Sequence, residues 1–281
     1  MDSPLAARKN KFRRKIEMKI YISVDFEGIA CSTSWSSTNL GDIEHGPLAK
    51  EMTLEAVAAC QGALEAGATE IYVKDAHDSG RNIDFTLFPK EARLILDWKY
   101  SPDSMICGLD SSFDAVMYVG YHSPAGSNGS PLSHTMNRKT NYIKLNGKLA
   151  SEFLIHAYIA ASRGVPSVFL SGDKALCSHV HSFDPQITTV AVKEGMGAAT
   201  INLTPALAQE KIREGARQAL LNRASCHLDV PSPLTMEINY KDHFYALRAS
   251  YYPGVTMLDD FTVSYTADSV EDVMRARMFI L

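Results

Sequence analysis

Six acidic and histidine residues between positions 25 and 152 have the side chains that bind catalytic metal ions. They occur in the motifs SVDFEG, KDAHD, GYH, SHTM and ASEF, and are Asp25, Glu27, His77, His122, His134 and Glu152. A catalytic zinc takes about three protein ligands and keeps one position open for water, so two zinc ions need about six contacts. All of these residues except His134 provide that number if one carboxylate bridges the two ions. The set therefore predicts a two-metal hydrolase.

The candidate ligand atoms are carboxylate oxygens and imidazole nitrogens, without a thiolate. This mixture suits Zn²⁺, Mn²⁺ or Co²⁺ better than an iron–sulfur cluster or a structural zinc knot. Two such cations about 3.5 to 4 Å apart lower the pKa of a bridging water and polarise a carbonyl. A nearby histidine can move a proton in the same reaction, because imidazole titrates close to neutral pH.

Three of the motifs lie where an apolar run gives way to a loop. The runs are KIYISV before Asp25, EIYVK before His77 and DAVMYV before His122. Parallel strands that end together would gather these groups at one edge, where open α/β sheets bind their ligands. Asp25 and Glu27 are two residues apart on an extended segment and would point to the same side.

The motifs, taken in order, resemble the D-aminopeptidase DppA family of M55 metallopeptidases. The resemblance runs from about Met18 to Glu152 and continues more weakly through VFLSGD and TTVAVKEG toward the C-terminus. One departure is Cys31, where the family often has a second glycine after the Glu-Gly step. The stretch STSWSSTNLGD that follows belongs to this chain alone, and we expect it to line the substrate pocket.

The resemblance implies a role for each of the six residues. It makes Asp25, Glu27, His77, His122 and Glu152 the ligands of a dinuclear zinc centre, with Asp25 as the bridge. It makes His134 the catalytic histidine, close to the metals without binding them.

The resemblance also implies a substrate and an assembly. We expect an aminopeptidase that acts on short peptides containing D-residues, of the D-Ala-D-Ala type, in a ring-like homo-oligomer such as a decamer. Two alternatives stay open: another metal-dependent amidohydrolase or phosphoesterase on the same site, or a peptide-binding protein linked to peptide uptake.

Other candidate groups carry less weight. His179 and His181 form an H-x-H pair without partners in the set, and we expect them to lie outside the metal site. Asp173 ends the run SVFLSGD and is a candidate for a supporting role beside the site. No nucleophile elbow, phosphate-binding loop or H-E-x-x-H motif occurs. VKEGMG contains only part of a dinucleotide fingerprint, so no nicotinamide cofactor is expected.

Composition favours a cytoplasmic enzyme. The chain has 281 residues, 46% of them hydrophobic, a formal net charge of -4 and a pI near 6.1, which argues against nucleic acid as a partner. The five cysteines are scattered and odd in number, as expected for reduced thiols in a cytosol. No apolar run of about eighteen residues occurs, so no membrane span is expected.

Three segments are predicted along the chain. Residues 1–17 hold a cluster of Lys and Arg and are predicted to form a basic disordered tail. Residues 18–225 alternate strands and helices, which predicts an α/β metal-binding catalytic domain with a mainly parallel sheet flanked by helices. Residues 226–281 are predicted to form a smaller C-terminal α+β unit. The Asn-Gly step in YIKLNGKLA predicts a hairpin before the helix that begins near Ser151.

Overall fold

Two sheets and six α-helices make up the computed structural model, which describes residues 17–281. The predicted basic tail, apart from Glu17, lies outside the described residues. The strands are β1 (Lys19–Val24), β2 (Glu70–Asp75), β3 (Ala92–Ile95), β4 (Ala115–Tyr121), β5 (Thr140–Leu145), β6 (Lys148–Leu149), β7 (Ser167–Asp173), β8 (Thr188–Met196), β9 (Ala199–Asn202), β10 (Leu234–Tyr240), β11 (Thr256–Met257) and β12 (Thr262–Ala267). The helices are α1 (His45–Glu65), α2 (Glu152–Ser162), α3 (Lys174–His181), α4 (Pro205–Leu221), α5 (His243–Ser250) and α6 (Val270–Ile280).

The first sheet has seven strands in the order β3-β2-β1-β4-β7-β8-β9. All neighbouring pairs are parallel except β8 and β9, which are antiparallel. The central strands β1, β4 and β7 are buried almost throughout, as expected for a parallel sheet covered on both faces. The predicted fold class is confirmed.

The second sheet is antiparallel, with the order β11-β12-β10-β5-β6. It combines β10 to β12, from the predicted C-terminal unit, with β5 and β6, which precede it in the chain. The boundary between residues 225 and 226 stays a prediction, but this sheet joins segments from both sides of it.

The predicted hairpin forms between β5 and β6. Asn146 and Gly147 both have positive φ, 45° and 81°, the combination that a type I′ turn requires and that an Asn-Gly pair adopts readily. The turn leads directly to Ser151, whose hydroxyl caps α2 by accepting a hydrogen bond from the Leu154 amide at 3.1 Å. Glu152 is therefore fixed in the first turn of α2.

The helices complete a continuous buried core. Helices α1 and α4 pack against each other, α3 packs against β8, and α6 packs against both α2 and the second sheet. Among residues 17–281, no helix combines the length and apolar character needed to cross a membrane.

Candidate active site

All six residues singled out in the sequence lie together at the C-terminal edge of the first sheet. Asp25 and Glu27 follow β1, His77 follows β2 and His122 follows β4. Glu152 opens α2, and His134 lies in the loop between β4 and β5. Five of the six are buried, and His134 is partly buried.

The carboxylates and two of the histidines form a tight cluster. His77 Nδ1 lies 3.4 Å from Asp25 Oδ1 and 3.1 Å from Glu27 Oε2. His122 Nε2 lies 3.5 Å from Asp25 Oδ2 and 3.5 Å from Glu152 Oε1. The two oxygens of Asp25 thus face two different histidines, as a bridging carboxylate would.

His134 closes the cluster on another side. Its Nε2 lies 3.6 Å from Glu152 Oε1 and 3.8 Å from Glu27 Oε1. Its ring stacks on that of His122, with the ring centroids 4.2 Å apart and an angle of 6° between the planes. His134 is therefore close enough to act on anything held between the carboxylates.

A backbone carbonyl orients each of the three imidazole rings. The contacts are His77 Nε2 to Thr38 O at 2.7 Å, His122 Nδ1 to Ser123 O at 3.0 Å, and His134 Nδ1 to Leu132 O at 2.9 Å. A carbonyl oxygen can only accept, so the ring nitrogen that contacts it donates. In the neutral ring, the other nitrogen then presents its lone pair to the carboxylates, which is the arrangement of metal-binding histidines.

The donor atoms fit a cation. Asp25 Oδ2 and His122 Nε2 are both buried, and neither has a hydrogen-bond partner among the residues that the structure describes. Ligand atoms of Asp25, Glu27 and His122 all lie within 4.8 Å of one another, and so do those of His122, His134 and Glu152. Buried polar atoms without partners are costly, and a cation between them would remove that cost.

Burial and neighbouring charges set the pKa values on the Asp25 side of the cluster. Burial raises the pKa of Asp25, and the adjacent Glu27 carboxylate raises it further, to about 8. Burial would also raise the pKa of Glu27, but the charge and hydrogen bond of His77, together with the charges of His134 and His122, lower that pKa well below its ordinary value. Burial opposes protonation of His77, yet the Glu27 charge raises the pKa of His77 well above its ordinary value.

On the Glu152 side of the cluster, neighbouring charges again shift the pKa values against the effect of burial, except at His134. Burial opposes the shift, but the Glu152 charge raises the pKa of His122 to about 10. Against the effect of burial, the His122 charge lowers the pKa of Glu152 to about 2. Burial lowers the pKa of His134, and the His122 charge lowers it further. Protons on His77 and His122 thus balance the carboxylates where bound cations would otherwise do so, and His134 stays neutral.

A network behind His77 fixes its loop. Asp75, at the end of β2, accepts hydrogen bonds from the Asn82 amide at 2.5 Å, the Asn82 side chain at 2.9 Å and the Ile83 amide at 3.0 Å. The Asn82 side chain also donates to the His77 carbonyl at 2.8 Å.

Asp173 supports the other side of the site indirectly. Its carboxylate accepts from both the amide and the hydroxyl of Ser123 at 2.6 Å and caps α3 at the Leu176 amide. Ser123 follows His122 and accepts from its ring. His179 and His181 lie on α3, where they contact the carbonyls of Leu149 and Ile187 rather than the cluster.

The cluster opens onto a cleft of about 780 Å³. Trp35, Thr38 and Asn39, from the stretch expected to line the pocket, are among its walls. The Trp35 ring meets His134 edge-on, with centroids 5.2 Å apart, and the Arg138 guanidinium lies 4.2 Å from the Trp35 ring centre.

Several residues that shape the site were not predicted from the sequence. Lys193 is buried and donates to the carbonyls of Glu27 and Ser32, which holds the loop after β1. A lysine inside the apolar run TTVAVKEG was the one signal available for it. Arg277 and Ser101 also line the cleft, and no pattern in the sequence distinguished them.

Comparison with known proteins settles the family. The family model Peptidase_M55, described as D-aminopeptidase, matches residues 18–279. The chain belongs to the M55 peptidase family. The resemblance read from the motifs is confirmed, and the chain is a hydrolase of peptide bonds.

Relatives of this M55 peptidase match it over almost their whole length. A D-aminopeptidase from Bacillus subtilis (strain 168) is 29% identical over 266 residues, covering 93% of this chain and 96% of the relative. A solved structure described as Zn-dependent D-aminopeptidase DppA from Bacillus subtilis, a self-compartmentalizing protease, superposes with a TM-score of 0.88 at 27% identity. It covers 94% of this chain and 96% of its own.

Proposed function

We propose that this M55 peptidase is a zinc-dependent aminopeptidase that removes the N-terminal residue of short peptides containing D-residues, with D-Ala-D-Ala as the type of substrate. The observation that carries the proposal is the pair of buried atoms Asp25 Oδ2 and His122 Nε2, which face each other without a hydrogen-bond partner. The names of the two Bacillus subtilis relatives support zinc and the D-configuration.

Two zinc ions per chain suit the cluster, and Mn²⁺ or Co²⁺ could replace them. Asp25, Glu27, His77, His122 and Glu152 would hold them, with Asp25 as the bridge because its two oxygens face different histidines. When bound, the ions supply Lewis acidity toward the scissile carbonyl and toward water.

The protein's own groups bind the substrate and move the proton. His134 is neutral and donates from Nδ1 to Leu132, so its Nε2 is free to take up a proton and pass it to the leaving amine. The N-terminal residue of a peptide would lie at the cluster, where a carboxylate or a metal ion would hold its amino group.

The wider setting follows the same relatives. We infer a ring-like homo-oligomer, with a decamer as the family expectation, because the solved relative is described as self-compartmentalizing. Such an assembly would admit short peptides and exclude folded proteins. We also infer a cytoplasmic location, which the five unpaired cysteines support.

Peptide stereochemistry and His134 together test the proposal. Zinc-loaded wild type is expected to hydrolyse D-Ala-D-Ala faster than L-Ala-L-Ala. His134→Ala should lower kcat by roughly 10²- to 10⁴-fold, the usual contribution of a general acid–base group, while the bound zinc stays unchanged. His179→Ala, a histidine outside the cluster, serves as the matched control.

Each contrary result has a separate meaning. Loss of zinc from His134→Ala would make His134 a ligand rather than the proton carrier. A metal-loaded wild type that cleaves neither peptide would overturn the aminopeptidase and direct the search to other amides and phosphoesters.

A further inference from the structure

Arg277, on α6, is a buried cation in the wall of the catalytic cleft. Its side chain lines the cleft, and the residue is only 5% exposed. Nη2 donates to the Pro102 carbonyl at 3.1 Å. Nε is buried and has no hydrogen-bond partner, and within residues 17–281 no carboxylate forms an ion pair with this guanidinium.

Most of the N–H donors of Arg277 have no hydrogen-bond acceptor among the residues that the structure describes. The guanidinium carries five N–H donors, and arginine is almost never fully buried unless it is paired. Burial lowers the pKa of Arg277 to about 10, so the group remains charged at neutral pH. The Glu152 charge opposes this shift, but Arg277 still has unused N–H donors in the wall of a substrate cleft.

Ser101 adds a second unused polar group to the same wall. Its hydroxyl is buried, has no hydrogen-bond partner in the described part of the chain, and belongs to a residue that lines the cleft. Ser101 immediately precedes Pro102, whose carbonyl accepts from Arg277. One anionic group with two oxygens could therefore satisfy Arg277 and Ser101 together.

The other cations of the cleft are less suited to this role. Arg138 and Lys139 are exposed, and the Arg138 guanidinium already stacks on Trp35. A solvated cation discriminates weakly between charged and neutral ligands, whereas a desolvated one does so strongly. Among the cations that line the cleft, Arg277 would therefore gain most from a bound anion.

We propose that Arg277 and Ser101 form a subsite for the C-terminal carboxylate of the peptide substrate. The inference rests on the proposed aminopeptidase function and deepens it. A short peptide is a zwitterion: in the proposed reaction its amino end lies at the cluster, and a buried guanidinium in the same cleft is available for its carboxyl end. The preferred substrates are then short peptides whose free carboxylate reaches Arg277.

The direct test compares D-Ala-D-Ala with D-Ala-D-Ala amide on the zinc-loaded wild type. The two peptides differ only at the C-terminus, where the carboxylate of the first is a neutral amide in the second. We expect the acid to have a kcat/KM on the order of 10- to 100-fold higher, the range for a hydrogen bond to a charged group. The difference should lie mainly in KM, because the contact is made equally in the ground state and the transition state. It should shrink as glycines lengthen the peptide and carry the carboxylate past the subsite.

Variants then assign the preference to the subsite. Arg277→Met should lower kcat/KM for the acid far more than for the amide, so that the preference for the acid disappears. Arg277→Lys should keep part of the preference, since lysine retains the charge but not the forked geometry. Ser101→Ala should weaken the preference by a few fold. Arg275→Met, an exposed arginine on the same helix paired with Glu271 and Asp272, is the matched control.

The outcomes separate the subsite from the wider function. Equal cleavage of acid and amide by wild type overturns the subsite, and so does an Arg277→Met variant that loses activity on both alike. If Arg277→Met does not fold, Arg277→Lys and Ser101→Ala carry the test.

If wild type cleaves neither peptide, the aminopeptidase proposal fails. Calorimetric binding of the same acid and amide to wild type and Arg277→Lys then decides: tighter acid binding that needs Arg277 retains the subsite, and equal binding overturns it.

Discussion

At the residue scale, the site depends on histidines in which one ring nitrogen already forms a hydrogen bond to the backbone. His77, His122 and His134 each donate to a backbone carbonyl, which turns the remaining nitrogen toward the carboxylates. The ring orientations are therefore set by the fold before any cation binds. This preorganisation makes the residues behind the cluster as important as those within it.

Asn82 is the residue behind the cluster whose removal is most informative. Its side chain donates to both Asp75 and the His77 carbonyl, so Asn82→Ala should loosen the loop that carries His77. We expect zinc affinity to fall roughly 10- to 100-fold, the usual effect of losing such a contact. Titration with a chelator-buffered zinc series measures it.

The control is Asn141→Ala, which removes an exposed asparagine on β5. Unchanged zinc affinity in Asn82→Ala would mean that this network does not position His77.

The cluster could be predicted from the sequence because residues of metal-binding type stand at positions where functional side chains are expected. Asp25, His77 and His122 each follow an apolar strand, where a functional side chain is expected. Arg277 could not be predicted in this way. It lies among other charged residues on α6, and only the packing of that helix against the cleft distinguishes it from Arg275.

At the element scale, strands that are long and buried were predicted and short edge strands were not. β1, β4 and β7 are continuous apolar runs, so their sequences identify them. β3 has four residues that are not fully buried, and β9 has four that alternate between exposed and partly buried. Segments this short do not show a hydrophobic period that identifies them as strands.

Pairing between distant segments was also beyond the sequence. The Asn-Gly turn predicted the hairpin of β5 and β6, but not that β5 would pair with β10, where Met236 lies opposite Leu145. Local turn chemistry fixes a hairpin, whereas the choice of a remote partner depends on the packing of the whole core.

The close contact between the ends of β1 and β4 gives a prediction at this scale. A Cβ atom on Gly28 would lie 1.8 Å from the Tyr121 carbonyl oxygen, and the Gly28 amide donates to Gly120 at 2.8 Å. Gly28→Ala should therefore push Glu27 away from His122 and cost about 3 kcal/mol or more of the free energy of unfolding. Urea unfolding of the metal-free protein measures it.

Gly46 provides the control on α1, since a Cβ there meets nothing within 4 Å. Gly46→Ala should be neutral or stabilising by up to about 1 kcal/mol. Equal stability of the two variants would contradict the close contact.

At the scale of the whole molecule, the cleft is built from both sheets and their helices. The strand ends of the first sheet and the start of α2 supply the acidic cluster, and α6, which packs against the second sheet, supplies Arg277. The chain thus places negative charge and positive charge in one cleft, although its net charge is only -4. The placement of both charges in one cleft follows from the topology of the chain, so composition alone could not predict it.

Bound zinc should also stabilise the whole molecule. A ligand that binds only the folded state adds about 4 kcal/mol at a thousand times its dissociation constant. Zinc would also take over from the protons on His77 and His122 in balancing the buried carboxylates. Removal of zinc by a chelator should therefore lower the melting temperature as well as abolish activity.

The measurement that tests the central claim most directly is a zinc titration of the metal-free protein, with bound metal counted by mass spectrometry and D-Ala-D-Ala hydrolysis followed in parallel. We predict that activity and melting temperature rise together and saturate at two zinc ions per chain, and that Asp25→Asn fails to reach this ratio. Full activity with a single ion, or with none, would contradict the two-metal site.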